Sequence, residues 1–122
     1  MVSKRVRGSR TGRPIMVLLD LLGRRWTLRI VWELRDQTRR FRQLQDSIGA
    51  SPTIINTRLA ELRDAKLVEL DPDSGYRLTA LGEELLQLML PLHVWSEKWA
   101  RHLSGWQDAG DSKKLNSPRK SS

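Results

Sequence analysis

Three short polar side chains, Thr53, Asn56 and Thr57, fall at helical spacing in the segment 51–64. Residues three or four apart lie on one face of an α-helix, and Ala60 on that face is small enough to let another surface approach closely. The Asn carboxamide can pair with adenine through two hydrogen bonds, and a Thr hydroxyl can donate or accept. These residue types at this spacing suit contacts with base edges in the major groove of DNA, although a plain solvated helix surface has the same composition.

The segment that carries these side chains has strong helix signals of its own. Ser51 is a favourable N-cap, and Pro52 falls at the first helical position, where its missing N–H is not needed. Ile55, Leu59 and Leu62 cluster within about 60° on a helical wheel. We therefore expect this apolar stripe to pack on the core and the polar side to stay exposed.

Basic residues are concentrated before this helix. From Arg24 to Arg42 there are seven Arg against two acids, and a shorter predicted helix over 41–48 ends at Gly49. Side chains that contact phosphate oxygens position a protein on DNA without reading its sequence. The residues predicted to contact the DNA backbone are Arg39, Arg40, Arg42, Gln43, Ser51, Arg58 and Arg77. The residues predicted to contact bases are Thr53, Asn56, Thr57 and Ala60.

Five helices and one β-hairpin are predicted in all. The helices cover 14–22, 25–36, 41–48, 51–64 and about 79–104, and the hairpin strands cover 67 or 68 to 70 and 76–78. The intervening "DPDSG" has the Pro, Asp and Gly typical of a turn, and Thr79 is the expected cap of the last helix. A helix-turn-helix followed directly by a hairpin predicts a mainly α (α+β) winged helix-turn-helix fold.

The last predicted helix carries an apolar stripe in a rhythm close to a heptad seam. Leu85 and Leu88 are expected to pack on the protein's own core, as are Trp26 and Trp32 elsewhere. So short a chain has little core left to cover the later tryptophans, and exposed aromatic stripes usually mark interaction surfaces. The predicted dimer interface, formed by the N- and C-terminal helices, comprises Ile15, Leu18, Leu19, Leu22, Leu92, Trp95, Trp99 and Trp106. Pro91 is expected to bend the last helix.

The formal net charge of +8 is concentrated at the two ends of the chain. Residues 1–13 carry five bases and no acid, 107–122 carry four bases and two acids, and 14–106 carry thirteen bases and twelve acids. We expect a disordered basic arm at 1–12, one domain at 13–106 and a disordered basic tail over the remainder. Basic ends often bind polyanions, but they can also serve only to keep a protein soluble.

No set of residues suggests catalysis or a metal site. The chain has no Cys, which excludes disulfides, thiolate metal sites and thiol redox chemistry, and His93 and His102 lie nine positions apart on one helix. The acids form no ligand-spaced cluster, and no Gly-rich phosphate loop is present. We therefore predict no enzyme activity, no cofactor and no metal. No signal peptide or membrane span is evident, so we expect a cytoplasmic, nucleoid-associated protein without membrane contact.

Four stretches of the chain occur in a specific order and spacing. They are "LDLLGRRWTL" (19–28), "RRFRQLQDSI" (39–48), "LAELRDAKLV" (59–68) and "YRLTALGEEL" (76–85). Together with Trp95, at a late aromatic position, they resemble the HxlR-type family of bacterial winged helix-turn-helix transcriptional regulators. The resemblance runs from about Arg13 to Trp99 and implies a dimer that binds operator DNA.

Three features depart from the family pattern. Many members have Cys-Pro at the start of the first helix, whereas this chain has Arg13 before Pro14, which excludes sensing through that thiol. The usual Gly near the end of the fourth helix is Lys66, which adopts a left-handed conformation less easily. The hairpin is short and carries Asp71 and Asp73, which phosphates repel. We expect the Arg-rich arm to substitute for the hairpin, in an adjacent minor groove.

The predicted function is a dimeric, sequence-specific DNA-binding transcriptional regulator, with repression favoured over activation. Its helix 51–64 would enter successive major grooves of a near-palindromic operator on double-stranded DNA. One alternative is a winged-helix protein-interaction module that uses Ile54, Arg58 and the tryptophan stripe. Another is a non-specific DNA or RNA binder driven by the basic ends. A small-molecule effector is left open, since no residue identifies one.

Overall fold

The computed structural model describes residues 13–103 and residue 105. Its elements are α1 (Pro14–Leu22), α2 (Thr27–Glu33), α3 (Phe41–Ile48), α4 (Pro52–Asp64), β1 (Val68–Asp71), β2 (Gly75–Leu78) and α5 (Ala80–Ala100). The predicted element order and the mainly helical winged helix-turn-helix fold are confirmed. The predicted arm at 1–12, the predicted tail at 107–122 and Trp106 lie outside the described residues.

The hydrophobic core lies between α2, α3 and α4, and the hairpin and the start of α5 pack against it. The predicted stripe of α4 is confirmed, because Ile55, Leu59 and Leu62 are almost completely buried. Trp26 and Trp32, predicted as core residues, are half-buried and pack against the edge of the core. The buried apolar side chains of the core are Ile30, Val31, Leu34, Leu44, Ile48, Ile55, Leu59, Leu62, Val68, Leu78 and Leu86.

The second helix is shorter than the predicted helix over 25–36, and that prediction is wrong at both ends. Trp26 is the N-cap with φ 80°, so the residues before Thr27 form a turn. At the other end, Leu34 is the C-cap with φ −91° and ψ 3°, and Asp36 has φ 71°. Apolar periodicity reports which side of a segment is buried, but it does not detect a single residue in the left-handed region.

The hairpin is tied to the segment that precedes α3. Within it, Val68 pairs with Leu78 and Asp71 with Gly75. The backbones of Arg39 and Tyr76 then exchange two hydrogen bonds, of 2.9 Å from Arg39 N to Tyr76 O and 2.8 Å from Tyr76 N to Arg39 O. This close approach, which we call the backbone clamp between Arg39 and Tyr76, fixes the hairpin relative to the start of α3.

The fifth helix packs on the core through a face that the sequence predicted only in part, since Leu85 packs against the core as expected. Its buried residues are Gly82, Leu86 and Ala100, whereas the side chain of Leu88 is 76% exposed. The prediction that Leu88 packs on the core is therefore wrong, because the inward face is displaced from the heptad seam by part of a turn. The predicted cap is confirmed, since the Gly82 N–H donates to Thr79 Oγ1 at 3.0 Å, but the helix ends at Ala100 rather than near residue 104. No helix within the described residues is long and apolar enough to cross a membrane.

Gly75→Ala is expected to destabilise the fold by about 2–4 kcal/mol. Gly75 has φ 116°, and a Cβ there would lie 2.5 Å from the Arg39 carbonyl oxygen, so the clamp would have to open. The matched control is Gly49→Ala, because Gly49 also has a positive φ, 82°, but an added Cβ would have no neighbour within 4 Å. Its cost should be only the conformational one, about 1 kcal/mol. Urea denaturation of both variants measures the difference, and equal midpoints would show that the clamp contributes nothing.

Candidate nucleic-acid interface

The side of α4 opposite its buried stripe is exposed. Thr53, Asn56, Thr57 and Ala60, the residues predicted to contact bases, all lie on this side, which we call the polar face of α4. The Thr57 hydroxyl donates to the Thr53 carbonyl at 2.9 Å, so its oxygen lone pairs point outward as acceptors. The Asn56 carboxamide retains both its donors and its acceptor, since among the described residues no side chain or backbone group bonds to it.

The start of α4 is held by the cap that the sequence predicted. The Ile54 N–H donates to Ser51 Oγ at 3.2 Å, and Pro52 occupies the first turn. The link from α3 passes through Gly49, whose φ of 82° ends that helix in the left-handed region. These local interactions set where α4 begins and so place Thr53 and Asn56 in its first two turns.

The first turn of α3 presents two of the predicted backbone contacts. Arg42 is exposed, and within the described part of the chain its guanidinium has no hydrogen bond or ion pair. Gln43 accepts a hydrogen bond from the Arg40 N–H at 2.8 Å, which leaves its side-chain amide N–H groups available. Both side chains therefore have donors free for an anion near the start of this helix.

Four predicted backbone contacts have guanidinium groups that already bond within the protein. Arg39 Nε donates to the Glu33 carbonyl at 3.0 Å, and Arg40 Nη2 donates to the Asp73 carbonyl at 2.6 Å. Arg77 pairs with two carboxylates, at 2.6 Å to Glu69 and 3.2 Å to Asp71. The fourth, Arg58, bonds to the Arg25 carbonyl and to Glu61, away from the polar face of α4.

The electrostatics of the hairpin follow from these pairs. The Asp73 N–H, and after it the Arg77 guanidinium, hold the pKa of the Asp71 carboxyl below its usual value. The Glu69 carboxylate in turn raises the pKa of Arg77 above its usual value. The only base predicted on the hairpin is thus neutralised by acids of the hairpin itself, which agrees with the expected weak grip of this element on phosphates.

Glu61 binds two arginines from different parts of the chain, and sequence reasoning did not single it out. Its carboxylate lies 3.1 Å from Arg24 Nη1, in the turn between α1 and α2, and 3.1 Å from Arg58 Nη1, one turn earlier on α4. Arg58 Nε also donates to the Arg25 carbonyl at 2.8 Å. This set, which we call the Glu61 cluster, joins α4 to the turn after α1. The only sequence signal for it was the three-residue spacing of Arg58 and Glu61.

Large apolar side chains are exposed on α1 and α5. On α5 the exposed side chains of Leu88, Leu92, Trp95 and Trp99 follow one another at helical spacing. The Trp95 and Trp99 rings stack with centroids 6.3 Å apart and planes 11° apart. On α1, Ile15 and Leu19 are about half exposed, while Leu18 and Leu22 are half-buried. The structure thus leaves two apolar strips uncovered, which contain most residues of the predicted dimer interface.

Known proteins are similar to this chain in both sequence and fold. A family model described as HxlR-like helix-turn-helix matches residues 21–104, which is more than half of the chain. The chain belongs to the HxlR-like helix-turn-helix family. The family that the sequence motifs resembled is therefore confirmed.

Individual members of this family are similar over most of the chain. An HTH-type transcriptional regulator of Mycobacterium bovis is 33% identical over 104 residues, which cover 80% of this chain and 63% of that protein. The chain therefore spans less than two thirds of that relative. An HTH-type transcriptional regulator of Synechocystis is 30% identical over 93 residues, covering 70% of this chain and 69% of that protein.

Solved structures show the same fold in HxlR-like proteins. A possible HxlR family transcriptional factor from Thermoplasma volcanium superposes with a TM-score of 0.65 at 29% identity, covering 74% of this chain and 87% of that one. Quinone-bound YodB from B. subtilis superposes with a TM-score of 0.64 at 28% identity, covering 69% of this chain and 96% of that one. The family and these relatives are transcriptional regulators with a helix-turn-helix and not enzymes.

Glu61→Gln is expected to destabilise the protein by about 1–2 kcal/mol, because it removes one charge that two partly buried guanidinium groups share. Glu84→Gln is the control, since Glu84 is exposed and has no ion pair among the described residues. Chemical denaturation of the two variants measures the difference. Equal stability would mean that the Glu61 cluster does not hold α4 to the turn after α1.

Proposed function

We propose that the protein is a dimeric, sequence-specific transcriptional regulator that binds double-stranded DNA with α4 in the major groove. The observation that carries this proposal is the polar face of α4, which stays exposed while Ile55, Leu59 and Leu62 on the opposite side are buried. An α-helix fits the major groove, where short polar side chains reach base edges. Membership of a family of helix-turn-helix regulators supports the same use of this helix.

In this proposal the polar face of α4 distinguishes sequences. Asn56 offers a donor and an acceptor to adenine, and Thr57 offers an acceptor because its hydroxyl proton is used within the helix. Thr53 lies in the first turn, the part of a recognition helix that enters the groove most deeply. Ala60 adds little bulk and permits close approach.

The phosphate backbone is contacted around the start of α3 and the start of α4. Arg42 and Gln43 have donors available, Ser51 lies exposed at the cap, and Arg40 retains donors beyond the one that bonds to Asp73. A contact with DNA by Arg39, Arg58 or Arg77 requires the guanidinium to share or break its bonds within the protein. For Arg77 that cost is small, since both of its ion pairs are accessible to solvent.

The two exposed apolar strips support the dimer. A second copy that covers Leu92, Trp95 and Trp99 of α5, together with Ile15 and Leu19 of α1, would remove them from water. To reach successive major grooves, such a dimer must hold its two copies of α4 roughly 34 Å apart about its two-fold axis, and its operator is then near-palindromic. A dimer bound across a promoter blocks polymerase by occupancy alone, and we therefore propose repression.

Competition binding tests the function as a whole. Genomic fragments selected on the protein are compared with random duplex and with RNA across a salt series. Retention of particular fragments at moderate salt is the expected result, and footprinting should then show a site with two-fold symmetry. Uniform binding that salt abolishes would support a non-specific nucleic-acid binder, and no binding would support a protein-interaction module.

Asn56→Ala is expected to weaken binding to the selected operator by about 1–3 kcal/mol and to relax base preference at one position of each half-site. Arg42→Ala is the matched comparison, because a lost phosphate contact should weaken operator and random duplex alike. Fluorescence anisotropy with both duplexes measures the two effects. If Asn56→Ala reduces binding equally on all sequences, this residue positions the protein and does not contact a base.

Trp95→Ala and Trp99→Ala are each expected to shift the protein from dimer to monomer, because each removes a large apolar group from the exposed strip of α5. Val94→Ala is the control, since Val94 is 64% exposed on α5 but lies on a different side of the helix. Light scattering over a concentration series measures the mass. Dimers that persist in both tryptophan variants would place the interface elsewhere.

A further inference from the structure

Two exposed bases that are not among the predicted DNA contacts lie at the end of α4 remote from its cap. Arg63 is in the last turn of the helix, and Lys66 follows two residues after the helix ends. Within the described residues neither side chain has an ion pair or a hydrogen bond to protein. They differ in this from Arg40, Arg58 and Arg77, whose guanidinium groups bond internally.

The backbone conformation of Lys66 is one that glycine adopts at lower cost. The Leu67 N–H donates to the Leu62 carbonyl at 2.9 Å and the Lys66 N–H to the Arg63 carbonyl at 3.0 Å, which is the Schellman arrangement at a helix end. This arrangement requires a left-handed residue, and Lys66 has φ 67°. Glycine at this position would relieve the strain, so a change of Lys66 to glycine separates the charge of the side chain from its cost to the fold.

Both bases line an open cleft that continues the polar face of α4. The cleft has a volume of about 580 Å³, and its lining includes Ala60, Arg63, Lys66 and Glu69. Because Ala60 belongs both to this cleft and to the polar face, the cleft adjoins the surface that the proposed function places against a duplex. The two bases are then placed to meet phosphates beside the groove that α4 occupies.

The four charged side chains that line the cleft, two bases and two acids, sum to zero, but they differ in whether they already have a partner. Of its two acids, Glu69 is paired with Arg77 at 2.6 Å, whereas Asp64 is exposed and has no ion pair among the described residues. Glu69 and the neighbouring Asp71 share Arg77, so Asp64 is the acid that faces the two bases without a partner. Asp64 therefore opposes phosphate binding in the cleft, and neutralising its carboxylate should strengthen DNA binding.

We propose that Arg63 and Lys66 bind DNA phosphates in this cleft, as a second phosphate-contact site at the opposite end of α4 from Arg42. This inference rests on the proposed function, since it requires α4 to lie in the major groove. It deepens that function by assigning phosphate contacts to two bases whose donors are available, whereas Arg77 of the hairpin is neutralised by its own acids.

The decisive variant is Lys66→Gly. Relief of the left-handed conformation should raise Tm by about 3 °C, while loss of the charge should weaken binding to operator and random duplex alike, by about tenfold. In a dimer the slope of log K against log salt should fall by about two, because each copy loses one phosphate contact. A purely structural role of Lys66 cannot produce higher stability together with weaker binding.

Three further variants change the second base of the cleft, its unpaired acid and a charge elsewhere on the surface. Arg63→Gln should lower the salt slope to the same extent, and Asp64→Asn should strengthen binding to every duplex. Lys98→Ala removes the same charge from an exposed position on α5 and should leave the slope unchanged. Thermal melts and anisotropy titrations at four salt concentrations measure all four proteins beside the wild type.

The outcomes separate this inference from the function on which it rests. If the wild-type protein binds operator specifically but Lys66→Gly and Arg63→Gln leave the salt slope unchanged, the cleft does not hold phosphates and the inference is overturned. If Lys98→Ala lowers the slope as much as they do, the effect is one of net charge, and the inference is again overturned. If the wild-type protein binds no duplex, the proposed function itself fails and the inference fails with it.

Discussion

The burial of one side of α4 is the constraint on which the rest of the interface depends. Ile55, Leu59 and Leu62 are held in the core by α2, α3 and β1, so the helix has a single rotational setting about its own axis. A rotation by one residue position would expose part of the apolar stripe and turn Asn56 or Arg58 toward the core, which is costly on both counts. The side chains on the polar face are therefore aimed by apolar packing, and their own contacts contribute little to that orientation.

The fold was largely predictable because its strongest signals are local or periodic. The Ser51–Pro52 start of α4, the apolar stripe behind it and the turn residues between β1 and β2 each act within a few positions, and all three predictions hold. The errors arose where one residue departs from the periodic pattern. Trp26 and Asp36 shorten α2 through positive φ values that a bulky or charged residue seldom adopts. Leu88 was assigned to the wrong face because two overlapping apolar stripes on α5 differ by part of a turn.

The candidate site was less predictable than the fold, and electrostatics explains the difference. A sequence shows where arginines are, but it does not show which of them are already bound. Arg58 looked suited to DNA until the structure placed it against Glu61 and the Arg25 carbonyl. Arg24 and Glu61 are 37 positions apart in sequence, so no local pattern could pair them. The net charge of +8 therefore says less about anion binding than the few cations whose donors remain available.

Pro91 interrupts α5 between its core-packed part and its tryptophans. Proline has no N–H, so the carbonyl of Gln87, four positions earlier, lacks the donor that an uninterrupted helix supplies. The part before this point packs on the core through Gly82 and Leu86. Beyond it, Ala100 is buried and the His93 ring lies 5.4 Å from that of Trp32, while the stacked Trp95 and Trp99 stay exposed. Sharp bends in helices occur at prolines. The direction in which the aromatic pair faces therefore depends on the geometry at Pro91 as well as on the packing of the two ends of α5.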